Sequence, residues 1–178
     1  MANEFNFRIK EQAGLGFKEL STIKQFISEH ELLVGIPEAE PSNKRKMVAG
    51  TVAPTNAELL HIHTNGSKPN NIPARPVIEP AISNGRDKIS SSMDSIIKSI
   101  RGGDQSEAIV KLQKLGLRVQ NMCREWFTNP LNGWEPNSQA TIERKLGKGS
   151  TNPRPLIDTN QLRKSITYVI KTKGGMVK

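Results

Sequence analysis

Two amphipathic stretches on either side of Gly102-Gly103 constrain the fold of this chain more than any other feature. Apolar residues recur every three or four positions from residue 89 to 100 and from 109 to 126, as on one face of an α-helix. A glycine pair ends a helix, and Asp104 directly after it can cap the next one. Helices joined by so short a turn pack antiparallel. The sequence therefore predicts a helical hairpin that starts at Ala81 or Ile82 and ends near residue 127.

Short strands are predicted on both sides of this hairpin. A helix ending near residue 29 precedes a short apolar run at 31–36, which is typical of a strand. Residues 164–171 alternate polar and apolar side chains, and a third strand is predicted at either 47–53 or 59–63. We therefore expect an α+β fold, in which a small antiparallel β-sheet packs against the helical hairpin. A sheet of this size has edges that can pair with other subunits.

Two segments in the first third of the chain have no clear secondary-structure pattern. Residues 1–13 can form a short strand or an arm that adds to another subunit, and with the helix after them they make an N-terminal region over 1–30. Residues 38–56 are expected to form a long loop, which is either an exposed arm that contacts a neighbour or DNA, or a disordered insertion. Thr55 and Glu58 have the spacing of a capping box. The residues after them can continue a helix or start a strand.

Four prolines between residues 68 and 80 exclude a regular helix and a central strand from that segment. We expect a stiff, extended connector that acts as a fixed structural corner. Arg75 lies between two of these prolines, so its guanidinium is held on a stiff backbone and is well aimed at a carboxylate or a carbonyl. Two roles remain open for Arg75, one holding the fold together and one contacting another subunit.

The stretch from 136 to 170 is the most informative part of the chain. Ser138 can cap a short helix that ends near Lys145. Asp158 can cap a second short helix, with Gln161 reaching back in the manner of a capping box. The following alternation predicts the last strand. Residues 171–178 are expected to form a mobile basic tail.

Two blocks of this sequence resemble the virion-morphogenesis and tail-completion proteins of tailed bacteriophages, which form the head–tail neck. The first reads Ile-Pro-Ala-Arg-Pro at 72–76, after Ile-His at 62–63. The second reads Pro-Leu-Ile-Asp-Thr at 155–159 and continues to Leu-x-x-Ser-Ile at 162–166. Asn160 stands where the family often has glycine, and asparagine tolerates the positive φ that such a turn needs. Val77 stands where an aromatic residue is usual, and residues 64–66 keep only the family's glycine.

The resemblance implies a structural protein of the head–tail connector. Such proteins form a ring around the DNA channel, here expected to be hexameric, and contact head-closure or stopper, tail-terminator or tail-tube proteins. The chain would then belong to the virion at the head–tail junction after assembly in the host cytoplasm, without catalytic activity or a cofactor. The matched positions expected to hold the fold or the interface are His63, Pro73, Arg75, Pro76, Leu156, Asp158, Thr159, Leu162, Ser165 and Ile166.

Length and composition are consistent with one small domain over 1–178 with a formal charge of +9. Residues 129–178 hold nine basic and three acidic side chains, so most of the excess positive charge lies in the last third. This basic end can contact DNA in the channel, through Lys171, Lys173 and Lys178, or an acidic partner, or it can be a solvated surface. The alternative function is a nucleic-acid-binding module that uses this end and the basic residues 44–46.

Several other classes receive little support from the sequence. No apolar run approaches the ~18 residues of a membrane span, and no signal peptide is expected. His61 and His63 would share one side of a strand, but a metal site there has too few further ligands. Cys123 is expected to be inert packing on a helix face. Trp126 is expected in the core, and Trp134 is either a packing lid or an interface anchor.

Overall fold

A computed structural model describes residues 16–38, 53–158 and 160–177 of the chain. The predicted segments 1–13, 44–46 and 47–52, together with Thr159 and Lys178, lie outside the described residues. Within those ranges the α-helices are α1 (Phe17–Glu29), α2 (Asn56–Asn65), α3 (Ile78–Asn84), α4 (Arg86–Arg101), α5 (Gln105–Trp126), α6 (Gln139–Gly147) and α7 (Gln161–Ser165).

Three antiparallel strands form one small sheet, so the predicted α+β fold is confirmed. They are β1 (His30–Gly35), β2 (Thr167–Thr172) and β3 (Gly175–Val177), in the order β1-β2-β3. The register pairs Leu32 with Ile170. The sheet therefore joins a strand near the start of the described chain to two strands near its end.

The helical hairpin of α4 and α5 forms as the apolar pattern predicts. Gly103 takes a φ of +80° in the turn, and the Asp104 carboxylate accepts a hydrogen bond of 2.8 Å from the Glu107 amide. Ile96 and Leu112 are among the residues of one buried cluster that also includes α1 and β2. Burying such a side chain stabilises the fold by about 1.5–3 kcal/mol.

One stripe of α5 fixes the position of β2. Gly116 lies against the ring of Tyr168, and the Gln120 side-chain oxygen accepts hydrogen bonds from Thr167 Oγ1 (3.1 Å) and the Tyr168 amide (3.3 Å). Arg124 donates to two carbonyl oxygens just before β2, each at 2.9 Å. Positions four residues apart share one helix face, so this stripe holds the start of the strand and the residues just before it.

The strand alternative at 59–63 is wrong, because these residues lie in α2. The helix wins through its N-terminal cap: Thr55 Oγ1 accepts from the Glu58 amide (3.2 Å), and Glu58 Oε2 accepts from the Thr55 amide (2.7 Å). This is the capping box that the spacing predicts, and it satisfies amides that a helix start otherwise leaves without partners. The third described strand is β3 instead.

The mobile tail expected at 171–178 is also a wrong prediction for most of its length. Strand β2 continues to Thr172, and residues 175–177 pair with it as β3. Gly175 takes a φ of +124°, which side chains rarely allow, and its carbonyl oxygen accepts a hydrogen bond of 3.0 Å from Thr172 Oγ1. The glycine pair at 174–175, which suggests a flexible tail in the sequence, therefore belongs to a tight turn between two strands.

Two helix starts differ from the prediction. Helix α3 begins at Ile78 and includes Pro80, because the first turn of a helix needs no intrahelical amide donors. The prediction of an extended connector without helix over 68–80 is therefore wrong at both ends, since residues 68–70 also form a 3₁₀-helix. Helix α7 has Asn160 as its N-cap, so Asp158 does not cap it. Asn160 has a φ of +57°, which confirms the positive φ expected there and moves the start of the helix beyond the aspartate.

Candidate functional site

The two sequence blocks that resemble the phage family lie on the walls of one groove of about 900 Å³. Its walls come from α2, the 68–75 connector, residues 135–138, α6 and the segment 156–162. We call this space the junction groove. Blocks separated by some eighty positions of the chain therefore meet in the fold, with a third segment between them.

The first block closes back onto the end of α2. The Arg75 amide donates to the His63 carbonyl oxygen at 2.5 Å, and Ser67 pairs with Ile72 in a β-bridge. Gly66 lies under this block with a φ of +72°, and a Cβ there would sit 2.9 Å from the Ala74 amide nitrogen. The Asn-Gly turn thus allows a close approach that no other residue type permits.

The Arg75 side chain ties the first block to residues 135–136. It is 7% exposed, and its Nη2 donates to the carbonyl oxygens of Glu135 (2.9 Å) and Pro136 (3.3 Å). Next to it, the Pro76 carbonyl oxygen accepts a hydrogen bond of 3.1 Å from Trp134 Nε1. These contacts lie within one chain and support the role of Arg75 in holding the fold. Of the two roles expected for Trp134, a packing lid or an interface anchor, this contact supports the packing lid.

Lys145 ties α6 to the second block. Its side chain is 8% exposed, and Nζ donates to the carbonyl oxygens of Arg154 (2.7 Å) and Ile157 (2.5 Å). Ser138 caps α6 as predicted, since its Oγ accepts from the Thr141 amide at 3.4 Å. The loop before α7 is therefore held by a buried ammonium group.

The second block has a strained backbone where it lines the groove. Leu156 and Asn160 have φ values of +56° and +57°, and Asn71 across the groove has +51°. This conformation costs about 1–2 kcal/mol for a residue such as Leu156, whereas asparagine adopts it more readily. Asp158 is exposed at the groove, and Leu162 is buried beside it. Residues in sparsely populated backbone regions tend to cluster at functional sites.

Ser165 and Ile166 face the core instead of the groove. Ser165 is 1% exposed and donates from Oγ to the Leu162 carbonyl oxygen at 2.7 Å. Ile166 is fully buried, and its carbonyl oxygen accepts one of the Arg124 hydrogen bonds. Their side chains stabilise the passage from α7 to β2.

Burial sets the electrostatics of the junction groove. It lowers the pKa of the Arg75 guanidinium, while the charge of Glu135 acts in the opposite direction. It also lowers the pKa of Lys145, which Asp158 raises and Arg144 lowers further. Neither Arg75 nor Lys145 forms an ion pair with any residue in the described ranges.

The histidine pair does not share one face. His61 and His63 lie two positions apart on a helix, so they point in different directions. His61 is exposed and its carbonyl oxygen accepts from Asn65 Nδ2 at 2.8 Å, whereas His63 lines the groove. No group of three metal-ligating side chains is found in the part of the chain that the structure describes.

The remaining candidates have structural surroundings. Cys123 is fully buried, and burial raises the pKa of its thiol to about 12, so the reactive thiolate does not form at neutral pH. Lys171 pairs with Glu31 at 3.6 Å and Lys173 with Glu29 at 3.0 Å. These two lysines thus lie beside the sheet with carboxylate partners, outside the junction groove.

Sequence reasoning did not assign two features of this site. Residues 135 and 136 supply the carbonyl oxygens that bind Arg75, and the only local signal was their position beside Trp134. Lys145 follows Thr141 and Ile142 by four and three positions, so it shares their helix face. That periodicity places Lys145 on the inner face of the helix and could have identified it as a buried lysine.

Comparison with known proteins finds no matching family model, no matching curated protein and no matching solved structure. The resemblance to the phage family therefore stays a prediction. Among the described residues, no helix combines the length and apolar character needed to cross a membrane.

Proposed function

We propose that this chain is a structural virion protein of the phage head–tail connector, which completes the tail as a ring at the portal side of the capsid. The observation that carries the proposal is the meeting of the two family-like blocks in one groove, held by Arg75 and Lys145. These side chains donate to carbonyl oxygens of their own chain and so hold its segments in place. That is the role expected of a structural scaffold.

The chemistry of the described residues supports a role without catalysis. A nucleophile needs a base and an orienting group within reach. Cys123 is buried among apolar residues, and Ser165 donates to a backbone carbonyl inside the core. Asp158 lies at the groove next to a lysine that is bonded to carbonyl oxygens. These groups have packing and hydrogen-bonding roles.

The sheet offers a route to assembly. Among the described strands β1 lies at one edge, and its six residues are long enough to add a further strand from another subunit. Leu33 on this strand is 37% exposed. A ring built through such edges would be a hexamer in the virion, contacting stopper, tail-terminator or tail-tube proteins, and it would form in the host cytoplasm before joining the particle.

Native mass spectrometry and electron microscopy test this proposal. The purified chain, or the chain extracted from tails, is expected to form rings of six copies, and labelled copies are expected at the head–tail junction of virions. The proposal is refuted if the chain stays monomeric at all concentrations and is missing from the particles.

The Arg75→Ala variant separates the two roles of the arginine within this proposal. A lower melting temperature with ring assembly kept at low temperature indicates a role in holding the fold. A folded monomer with unchanged melting temperature indicates an interface role. If the variant melts and assembles like the wild type, Arg75 has neither role.

The Lys171→Ser/Lys173→Ser double variant tests the channel contact. If these lysines face DNA, particles that carry the variant should retain less DNA, and normal retention argues against the contact. The alternative nucleic-acid module is favoured by the basic last third of the chain. It requires tight DNA binding by the monomer with a steep salt dependence, which a titration at several salt concentrations measures.

A further inference from the structure

Two buried cations at the junction groove form no close ion pair in the part of the chain that the structure describes, although the charges of Glu135 and Asp158 act on them from more than 4 Å away. Arg75 and Lys145 are 7% and 8% exposed and line the same groove. Both donate to backbone carbonyl oxygens, and neither forms an ion pair with a residue of the described ranges. Buried charges in proteins are usually paired, because removing an ion from water is costly. Their arrangement therefore favours an anionic ligand.

The rim of the groove adds to this positive potential. Lys68 and Arg144 are exposed on it, so four cationic side chains face two carboxylates, those of Glu135 and Asp158, among the lining residues. The N-terminus of α6 also opens on the groove at Ser138. A helix N-terminus carries a partial positive charge that favours anions.

We propose that the junction groove binds a peptide segment of a partner protein through the carboxylates of that segment. Its volume of about 900 Å³ is within the range of ligand sites in proteins. Apolar walls from Leu59 and Leu156 suit side-chain packing, and the side-chain amide of Asn71 suits a peptide backbone. The site lies within one copy of the chain, so this inference stands apart from the proposed ring.

The two acidic residues on the wall favour a peptide over a nucleic acid. A nucleic-acid backbone carries a phosphate at every nucleotide and would meet Glu135 and Asp158 along the groove. A peptide can place one or two carboxylates at the cations and leave neutral residues opposite these acids. The left-handed residues on the walls fit such a site, since backbone strain concentrates at binding sites.

Fluorescence anisotropy with a blocked, labelled hexapeptide of alternating Glu and Ala tests the proposal at low ionic strength. The Lys68→Ser/Arg144→Ser variant removes the two exposed rim cations and leaves the buried pair in place. We expect the wild type to bind the peptide and this variant to bind it about tenfold more weakly. The matched control is Lys148→Ser/Lys164→Ser, which removes the same charge from exposed positions outside the groove and should stay within about twofold of the wild type.

Other outcomes would overturn the proposal. Equal weakening in both double variants would mean that the peptide senses only overall charge. No binding at millimolar peptide, or equal binding of the Gln-Ala version, would exclude a carboxylate site. Tighter binding of hexathymidylate that only the groove variant weakens would assign the groove to nucleic acid instead. Ring formation is measured separately by mass, so neither result depends on the other.

Discussion

Replacing Gly116 with alanine tests how α5 holds the sheet. Gly116 lies within the helix, and a Cβ built on it would sit 2.3, 2.7 and 2.8 Å from Cδ2, Cε2 and Cγ of Tyr168. Real Cβ atoms essentially never approach another heavy atom this closely, so the ring or its strand must move. The ring has little freedom near Cγ, because the Tyr168 amide donates to the Gln120 side chain at 3.3 Å.

The expected magnitude comes from two opposing terms. Overpacking a filled contact costs about 1–3 kcal/mol, and the tight approach along the ring puts this site in the upper part of that range. Alanine in place of glycine within a helix stabilises it by about 0.8–1 kcal/mol. We therefore expect Gly116→Ala to lower the free energy of unfolding by about 1–2 kcal/mol. For a domain of this size that is a melting temperature lower by roughly 2–8 °C.

Thermal and urea unfolding monitored by circular dichroism measure this effect. Gly147→Ala is the matched control, since that glycine ends α6 and no atom lies within 4 Å of its Cβ position. In a Tyr168→Ala background the clash is gone, so Gly116→Ala should become stabilising by about 0.5–1 kcal/mol. If Gly116→Ala stabilises the protein even with Tyr168 present, the close packing of α5 on β2 is refuted.

Three further substitutions test local features. Asn160→Gly should raise the free energy of unfolding by up to about 1 kcal/mol, because glycine takes the left-handed φ without strain, and a lower melting temperature would contradict this. Arg124→Ala removes two hydrogen bonds of 2.9 Å to carbonyl oxygens and should cost about 2–3 kcal/mol in urea unfolding, whereas Arg118→Ala at an exposed bond should cost under about 0.5 kcal/mol. Hydrogen bonding from Ser99 lowers the pKa of Glu107 below its ordinary 4.5, so its contribution to stability is present above that pH and is lost as pH falls through the folded-state value. Melting curves from pH 6 downwards should therefore show a smaller acid-induced loss for Glu107→Gln than for the wild type, and parallel curves would contradict the shift.

Only the local backbone features of the site could be predicted from the sequence. The Asn-Gly turn and the positive φ of Asn160 follow from local sterics, and the structure has both. The extended proline connector expected over 68–80 is limited to its middle, because residues 68–70 form a 3₁₀-helix and α3 begins at Ile78. The carbonyl partners of Arg75 lie 60 and 61 positions away, and no local pattern identifies them. The buried position of Lys145 likewise depends on where residues 154–157 pass.

Local sequence is enough to predict the helical hairpin, the cap of its second helix at Asp104, and the caps of α2 and α6 at Thr55 and Ser138. Apolar periodicity, glycine stops and capping groups act between residues a few positions apart, so they hold before the chain is folded. The tertiary fold set the pairing of residues 175–177 as β3. It also decided that two distant blocks enclose a positively charged groove. Pairing and burial depend on which segments become neighbours, and that is a property of the whole packed chain.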